Sequence, residues 1–285
     1  MPHASWPTLT SYHRTRSNTP VYRLPDDILL DILLLDLGLT FTFEWYERLG
    51  QLMLVCSRWQ ALSIAPSPWA HVSAAQTLSI VKNSLCKSRD ALLDVVYVSF
   101  ALNYRSLRLD INEICDLLTN IHRWRYFEFW QWDISGFTEA AGAFINRLRH
   151  LIAPNLNSIS LKSPILASIE EPFTPEITQL RHISVHNCIV PWDSNLFTGP
   201  KTLRLSIPGN TGPSLDQFIN LLRASPEPVT LSLQGLDLHG PLLTHTQIIT
   251  LPSLETFEIQ YTACHVIGDL FAILHLPNAL SSCSL

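Results

Sequence analysis

Leu180-Arg181-His182-Ile183-Ser184-Val185-His186-Asn187-Cys188 is the stretch on which the fold turns. His182, Ser184 and His186 alternate with Ile183 and Val185, which is the pattern of a β-strand with one buried and one open face. The phrase of apolar residues at places one, four and six recurs as Leu156-x-x-Ile159-x-Leu161 and Leu254-x-x-Phe257-x-Ile259. With its first place altered it recurs again as Trp124-x-x-Phe127-x-Phe129, Pro200-x-x-Leu203-x-Leu205 and Pro228-x-x-Leu231-x-Leu233. Starts at 124, 156, 180, 200, 228 and 254 give spacings of 32, 24, 20, 28 and 26 residues. A unit this small cannot bury its own apolar face, so each is expected to stack on the next around a shared core.

Helical stretches fit between these strands over 113–121, 137–148 and 215–222, the last preceded by Pro213 and Ser214 in the manner of a helix start. Residues 91–100 alternate like an opening strand, and a further phrase at Tyr104, Leu107 and Leu109 reads as a connecting segment. The phrase resembles the leucine-rich repeat, and Cys188 occupies that repeat's Asn/Cys place. The resemblance implies an α/β solenoid with short parallel strands.

On such strands Tyr126, Glu128 and Trp130, Ser158, Ser160 and Lys162, His182, Ser184 and His186, Thr202, Arg204 and Ser206, Thr230, Ser232 and Gln234, and Thr256, Glu258 and Gln260 face away from the core. Their surface is mostly neutral and hydrogen-bonding, without the clustered Arg that a phosphorylated ligand calls for. Trp130, His182, Ser184, His186, Arg204 and Ser206 are the candidate target-binding residues. Trp130 and Trp132 are read as divided between core and surface, the exposed one being an anchor for a partner. His182 and His186 lack a third ligand and are read as surface hydrogen-bonding groups, not as a metal site.

The N-terminal region follows a different period. Pro25 suits the first helical position, and Asp26 and Asp27 the first turn, where negative charge complements the helix dipole. From Ile28 to Leu37 nearly every residue is Ile or Leu, interrupted by Asp31 and Asp36, so the apolar face is wider than one small core needs. Trp45, Leu49, Leu52, Val55, Cys56, Trp59 and Leu62 then recur at three- and four-residue steps. They predict one amphipathic helix of roughly five turns over 44–63, ended by Pro66 and Pro68 with Trp69 just beyond.

Taken in order, Leu24-Pro25, an acidic first turn, an apolar helix, Val55-Cys56-x-x-Trp59 and Pro68-Trp69 resemble an F-box, the helical module that docks a substrate receptor onto a Skp-type adaptor of a cullin ubiquitin ligase. The resemblance covers about residues 22–72. It implies that Leu24, Pro25, Ile28, Leu29, Ile32, Val55, Cys56, Trp59 and Trp69 supply the adaptor contacts and the small core beneath them. The linker from Gly38 to Phe43 departs from the family in being long and apolar. Ser88 to Val95 and Arg123 to Phe129 look like the start of the leucine-rich part of fungal F-box proteins.

Composition excludes several classes of function. Only 15% of the 285 residues are charged and 47% are apolar, against about a quarter charged in an average soluble domain. A net charge of −5 and no run of Lys or Arg give no footprint for nucleic acid. The most apolar run, 28–39, is too short for a membrane span and carries Asp31 and Asp36. The first twenty residues lack a signal-peptide core and read as a disordered leader, so an intracellular place in cytoplasm or nucleus is expected. Six scattered cysteines without a C-x-x-C pair read as reduced, mostly buried thiols and not as a zinc site. There is no nucleophile elbow, phosphate-binding loop or H-E-x-x-H motif. Neither catalysis nor a cofactor is expected.

These readings give an α+β chain of three parts: a disordered leader over 1–21, a small all-α F-box over 22–72 and an α/β leucine-rich-repeat-like solenoid over 73–285. The function they imply is that of a substrate-receptor subunit of a Skp–cullin–F-box ubiquitin ligase, with an unidentified protein target. The alternative is a leucine-rich-repeat protein-binding scaffold with no degradative role.

Overall fold

Parallel strands cannot be joined by tight turns, so a chain of recurring strand phrases must devote the residues between them to crossovers. The computed structural model describes residues 23–37, 43–74, 76–99, 115–131, 139–173, 177, 179–209, 211–225, 227–238, 248–262, 264–278 and 280–284. Three helices come first, α1 (Asp26–Leu37), α2 (Phe43–Met53) and α3 (Ser57–Ser63). Then follow β1 (His71–Ser73), α4 (Leu78–Lys87), β2 (Leu93–Ser99), α5 (Cys115–Thr119), β3 (Trp124–Gln131), α6 (Glu139–Leu148), β4 (Ser158–Ser168), β5 (His182–Ile189) and β6 (Thr202–Gly209). The chain continues through α7 (Leu215–Ala224), β7 (Thr230–Leu236), β8 (Ile249–Thr250), β9 (Thr256–Gln260), α8 (Cys264–Ile273), β10 (Leu274–His275) and β11 (Leu280–Ser284).

Nine of the strands form one sheet in the order β1-β2-β3-β4-β5-β6-β7-β9-β11, which is chain order, while β8 and β10 form a separate pair. Every pairing in the sheet is parallel. The protein is therefore α+β with a parallel sheet. Among the described residues no helix is long and apolar enough to cross a membrane.

Register follows the sequence phrase. Phe127, Ile159, Ile183, Leu203, Leu231 and Phe257 stand side by side, and so do Phe129, Leu161, Val185, Leu205, Leu233 and Ile259. All twelve are buried. A one-residue slip in any strand would turn its pair outward, which is why the pattern determines register so firmly. Helices pack on this buried side: Phe144 of α6 lies 4.0 Å from Tyr97, centroid to centroid, and Phe218 of α7 and Leu270 of α8 are enclosed in the same core. The start of α7 is the one expected, with Ser214 Oγ accepting from Gln217 N at 3.2 Å and Gln217 Oε1 accepting from Ser214 N at 2.9 Å.

The repeat also shows where residue type does not. Asn187, Gly235 and Tyr261 have φ of 53°, 64° and 51°, and each is the eighth residue of its phrase. This left-handed step, free for glycine and costly for the other two, turns the ninth residue inward. Cys188, Leu236 and Thr262 are buried there. Cys188 Sγ donates to His186 O at 3.3 Å and Thr262 Oγ1 to Gln260 O at 3.2 Å, so a thiol and a hydroxyl do the same work in two repeats.

Several expectations are corrected. The single helix over 44–63 is two helices: Leu54 N and Val55 N bond back three residues to Gln51 O and Leu52 O, and Cys56 is extended before α3 begins. A straight helix would carry Trp45 and Leu62 about 25 Å apart along one line. The break lets Trp45 and Leu49 pack on Trp69 while Leu62 packs on Leu29 and Leu33. Pro25 precedes the first helical position, its carbonyl accepting from Leu29 N at 3.0 Å. The opening strand is β1, not residues 91–100, because His71, Val72 and Ser73 pair with Asp94, Val95 and Val96. β1 thus runs across the expected boundary between residues 72 and 73. Of the described cysteine side chains only Cys188 is buried; Cys86 is exposed and Cys56 and Cys115 are half-buried. Helices α4 and α8 and strand β11 were not foreseen. The leader 1–21, most of the 38–43 linker, the phrase at Tyr104 and Trp132 lie outside the described residues.

Candidate functional site

Two surfaces stand out, and the first is α1. Its turn of 3.6 residues sends Leu29 and Leu33 into a core with Leu62, leaving Ile28 at 44%, Ile32 at 45% and Leu35 at 80% exposure on the opposite stripe. The start of this helix is held by Arg58 of α3, whose Nε donates to Asp26 Oδ1 at 2.8 Å and whose Nη2 donates to Leu24 O. The nine residues singled out in the sequence divide accordingly. Pro25, Ile28, Ile32 and Val55 face solvent, Leu24, Cys56 and Trp59 are half-buried, and Leu29 and Trp69 belong to the core. Leu35, at the end of the surplus apolar face, and Leu54 and Ile64 are exposed as well without being among the nine. The signal for Leu35 was present, since an apolar helix of the length of α1 has more Leu and Ile than one buried stripe can use.

Side chains of α2 tie this helical region to the sheet. Trp45 Nε1 donates to Pro68 O at 3.2 Å, and the Tyr46 hydroxyl donates to His71 O at 2.8 Å while accepting from Ser84 Oγ at 3.1 Å. Burial pushes the Tyr46 phenol up to about 12, against the lowering pull of Ser84. On the sheet side Asp94 receives Arg125 through both of its oxygens, at 3.0 and 2.6 Å, and lies 3.3 Å from His71 Nδ1. Burial holds the His71 imidazole below its ordinary value, outweighing the attraction of Asp94, while Arg125 adds to the lowering. Arg123 donates to Ala91 O at 3.0 Å and to Ser88 Oγ at 2.7 Å. The two segments singled out at 88–95 and 123–129 are therefore bonded to each other.

The second surface is the open face of the sheet. Register aligns three rows across β5, β6 and β7: His182, Thr202 and Thr230, then Ser184, Arg204 and Ser232, then His186, Ser206 and Gln234. Strand spacing puts neighbours within a row about 4.8 Å apart and successive rows under about 7 Å apart. A depression of about 150 Å³ lies here, lined by Ser184, His186, Arg204, Ser206, Ser232 and Gln234 together with Val185 and Leu205. Four of the six candidate target-binding residues, Ser184, His186, Arg204 and Ser206, thus share one concavity, and His182 borders it in register. Ser232 and Gln234 complete it.

No family model, curated protein or solved structure matches the chain.

The rest of the open face differs from the expectation that these residues all face away from the core as a mostly neutral surface. Glu128 and Ser160 are buried, and Glu128 is enclosed by Lys162 Nζ at 2.9 Å and the Tyr126 hydroxyl at 2.5 Å. The Tyr126 phenol is raised above its ordinary value by burial first and by the Glu128 carboxylate second. Trp130 is half-buried in the same row as Lys162 and His186, apart from the depression. The division expected between Trp130 and Trp132 involves a residue outside those described. His182 and His186 are four residues apart on an extended strand, about 13 Å, too far to hold one ion between them. Among the described residues no three His, Cys, Asp or Glu side chains gather as a metal site. Burial raises the Cys188 thiol to about 12, which makes it a poor nucleophile.

Proposed function

We propose that the chain is the substrate-receptor subunit of a Skp–cullin–F-box ubiquitin ligase, with an F-box over 22–72 and a leucine-rich-repeat-like solenoid over 73–285. The observation that carries the reading is the outward stripe of Ile28, Ile32 and Leu35 on α1, in a helix whose other stripe already fills its core. Exposed apolar residues grouped on one helix face mark a protein interface. The order of motifs around them is the order of an F-box. The parallel sheet with its phrase-locked register supports a repeat array whose open face holds a protein target.

The role is positional. The helices hold the adaptor and through it the cullin, while the sheet holds the target, so that target lysines stay at high effective concentration near the ubiquitin-carrying enzyme. No step of the chemistry falls to this chain. Co-expression with a Skp-type adaptor tests the reading: a one-to-one complex is expected by size exclusion with light scattering, and Ile32→Asp abolishes it by putting a charge into a dry interface. A full-length chain that remains alone beside the adaptor overturns the proposal. Recovery of adaptor without cullin favours the non-degradative scaffold.

A further inference from the structure

Three cations around the open face are committed, whereas among the described residues Arg204 on that face and Arg181 at its rim are not. Lys162 is paired with Glu128 at 2.9 Å, Lys201 with Glu227 at 3.1 Å and Arg125 with Asp94 at 2.6 Å. Arg204, at the centre of the three aligned rows, has no hydrogen-bond or ion-pair partner among the described residues. None of its neighbours in those rows is an acid. Ser184 and Ser232 flank it in register, and Ser206, His186 and Gln234 add further hydrogen-bonding groups to the same depression. What this arrangement lacks is an anion.

Resting on the reading that the open face holds a protein target, we infer that the depression binds the carboxylate of a single Asp or Glu side chain carried by an extended segment of that target. A guanidinium fork matches a carboxylate through two parallel hydrogen bonds, and the surrounding hydroxyls can satisfy its remaining lone pairs. One Arg suits a carboxylate, whereas phosphorylated segments are recognised by Arg clusters. A chain terminus is captured by free backbone N–H groups. Here the backbone of β5, β6 and β7 is engaged in the ladder, and the donors are side chains. The volume of about 150 Å³ admits the head of one side chain and no folded element. Glu258 lies on Arg204's row, one strand beyond Ser232. It repels a second acid on that side, so a single acidic position is selected and not an acidic run.

The test is selection of phage-displayed random peptides on the full chain and on its Arg204→Glu and Arg204→Gln variants. In the wild type Asp or Glu is enriched at one position over the starting library. The enrichment disappears with Arg204→Gln and is replaced by Lys or Arg with Arg204→Glu. The tightest selected peptide then loses about tenfold in affinity on Glu→Gln (or Asp→Asn) exchange or with Arg204→Gln, and little more when the two are combined, as a charge-assisted bond between them requires. Absence of acid enrichment in the wild type, or the same enrichment in Arg204→Glu, overturns the inference. A phosphoserine peptide that binds more tightly than its Glu counterpart through Arg204 overturns the carboxylate assignment. Adaptor binding by the same variants is measured in parallel: its loss from the wild type counts against the ligase reading alone, and lost acid selection with adaptor still bound counts against this inference alone.

Discussion

The helices α1–α3 and the strands β3–β9 are both rich in Leu and Ile, yet they dispose of them differently. In the helical region Ile28, Ile32, Leu35, Leu54, Val55 and Ile64 stay exposed, whereas the twelve phrase residues of the six aligned strands are all buried. A strand gives each side chain one of two faces, and repetition supplies a neighbour for the inward one. A lone three-helix cluster has no next copy, so its surplus apolar surface must be met by another molecule or remain in water. Apolar content therefore means self-stacking in one region and, on the proposed reading, a docking face in the other.

The largest effect that sharpens this contrast is expected inside the sheet. Leu205→Ala leaves a cavity in a row of packed side chains and costs about 2–5 kcal/mol, read by denaturant unfolding of the full chain. If Ile32→Ala on α1 costs as much, the contrast between the regions fails. Next comes the junction. Tyr46→Phe removes the hydroxyl that joins α2 to β1 and leaves Ser84 and His71 O without it, at about 1–2 kcal/mol. Two separate unfolding transitions in the wild type would show that this link does not couple the regions.

A pH test follows from His71. Its imidazole is held below 6.5 in the folded protein, so the unfolded chain binds the extra proton first. The stability it contributes is present above 6.5 and is lost as pH falls through the lower folded value. His71→Gln should flatten the acid side of the stability profile below pH 6.5, and an unchanged slope would remove His71 from the account. The smallest effect belongs to the open face: His186→Ala with Arg204→Ala should move stability by no more than about 0.5 kcal/mol. Destabilisation as large as that of Leu205→Ala would mean that these residues are core.

Much of the sheet was legible. Positions four and six of each phrase carry the apolar alternation, and a strand has only two faces, so His182, Ser184, His186, Arg204 and Ser206 could be assigned outward from sequence alone. The same logic failed at the edges. β1 is three residues long, too short for any period, and the break at Leu54 and Val55 carries neither Gly nor Pro, so nothing local separates α2 from α3. Glu128 read as surface because charge usually is; its burial depends on Lys162, thirty-four residues away along the chain.

By itself the sequence determined the secondary-structure type of its periodic segments, the register of strands β3 to β7 and β9, and that α1 carries more apolar residues than one core can hold, because these follow from side-chain period and the geometry of helix and strand. Only the tertiary structure decided where the helical region is broken and how it is bonded to the sheet. It alone shows that Asp94 is buried against His71 and Arg125, and that Arg204 stands without a counter-ion among hydroxyls. Pairing and burial of charges depend on which distant residues are brought within about 3 Å of each other, and no local period encodes that distance.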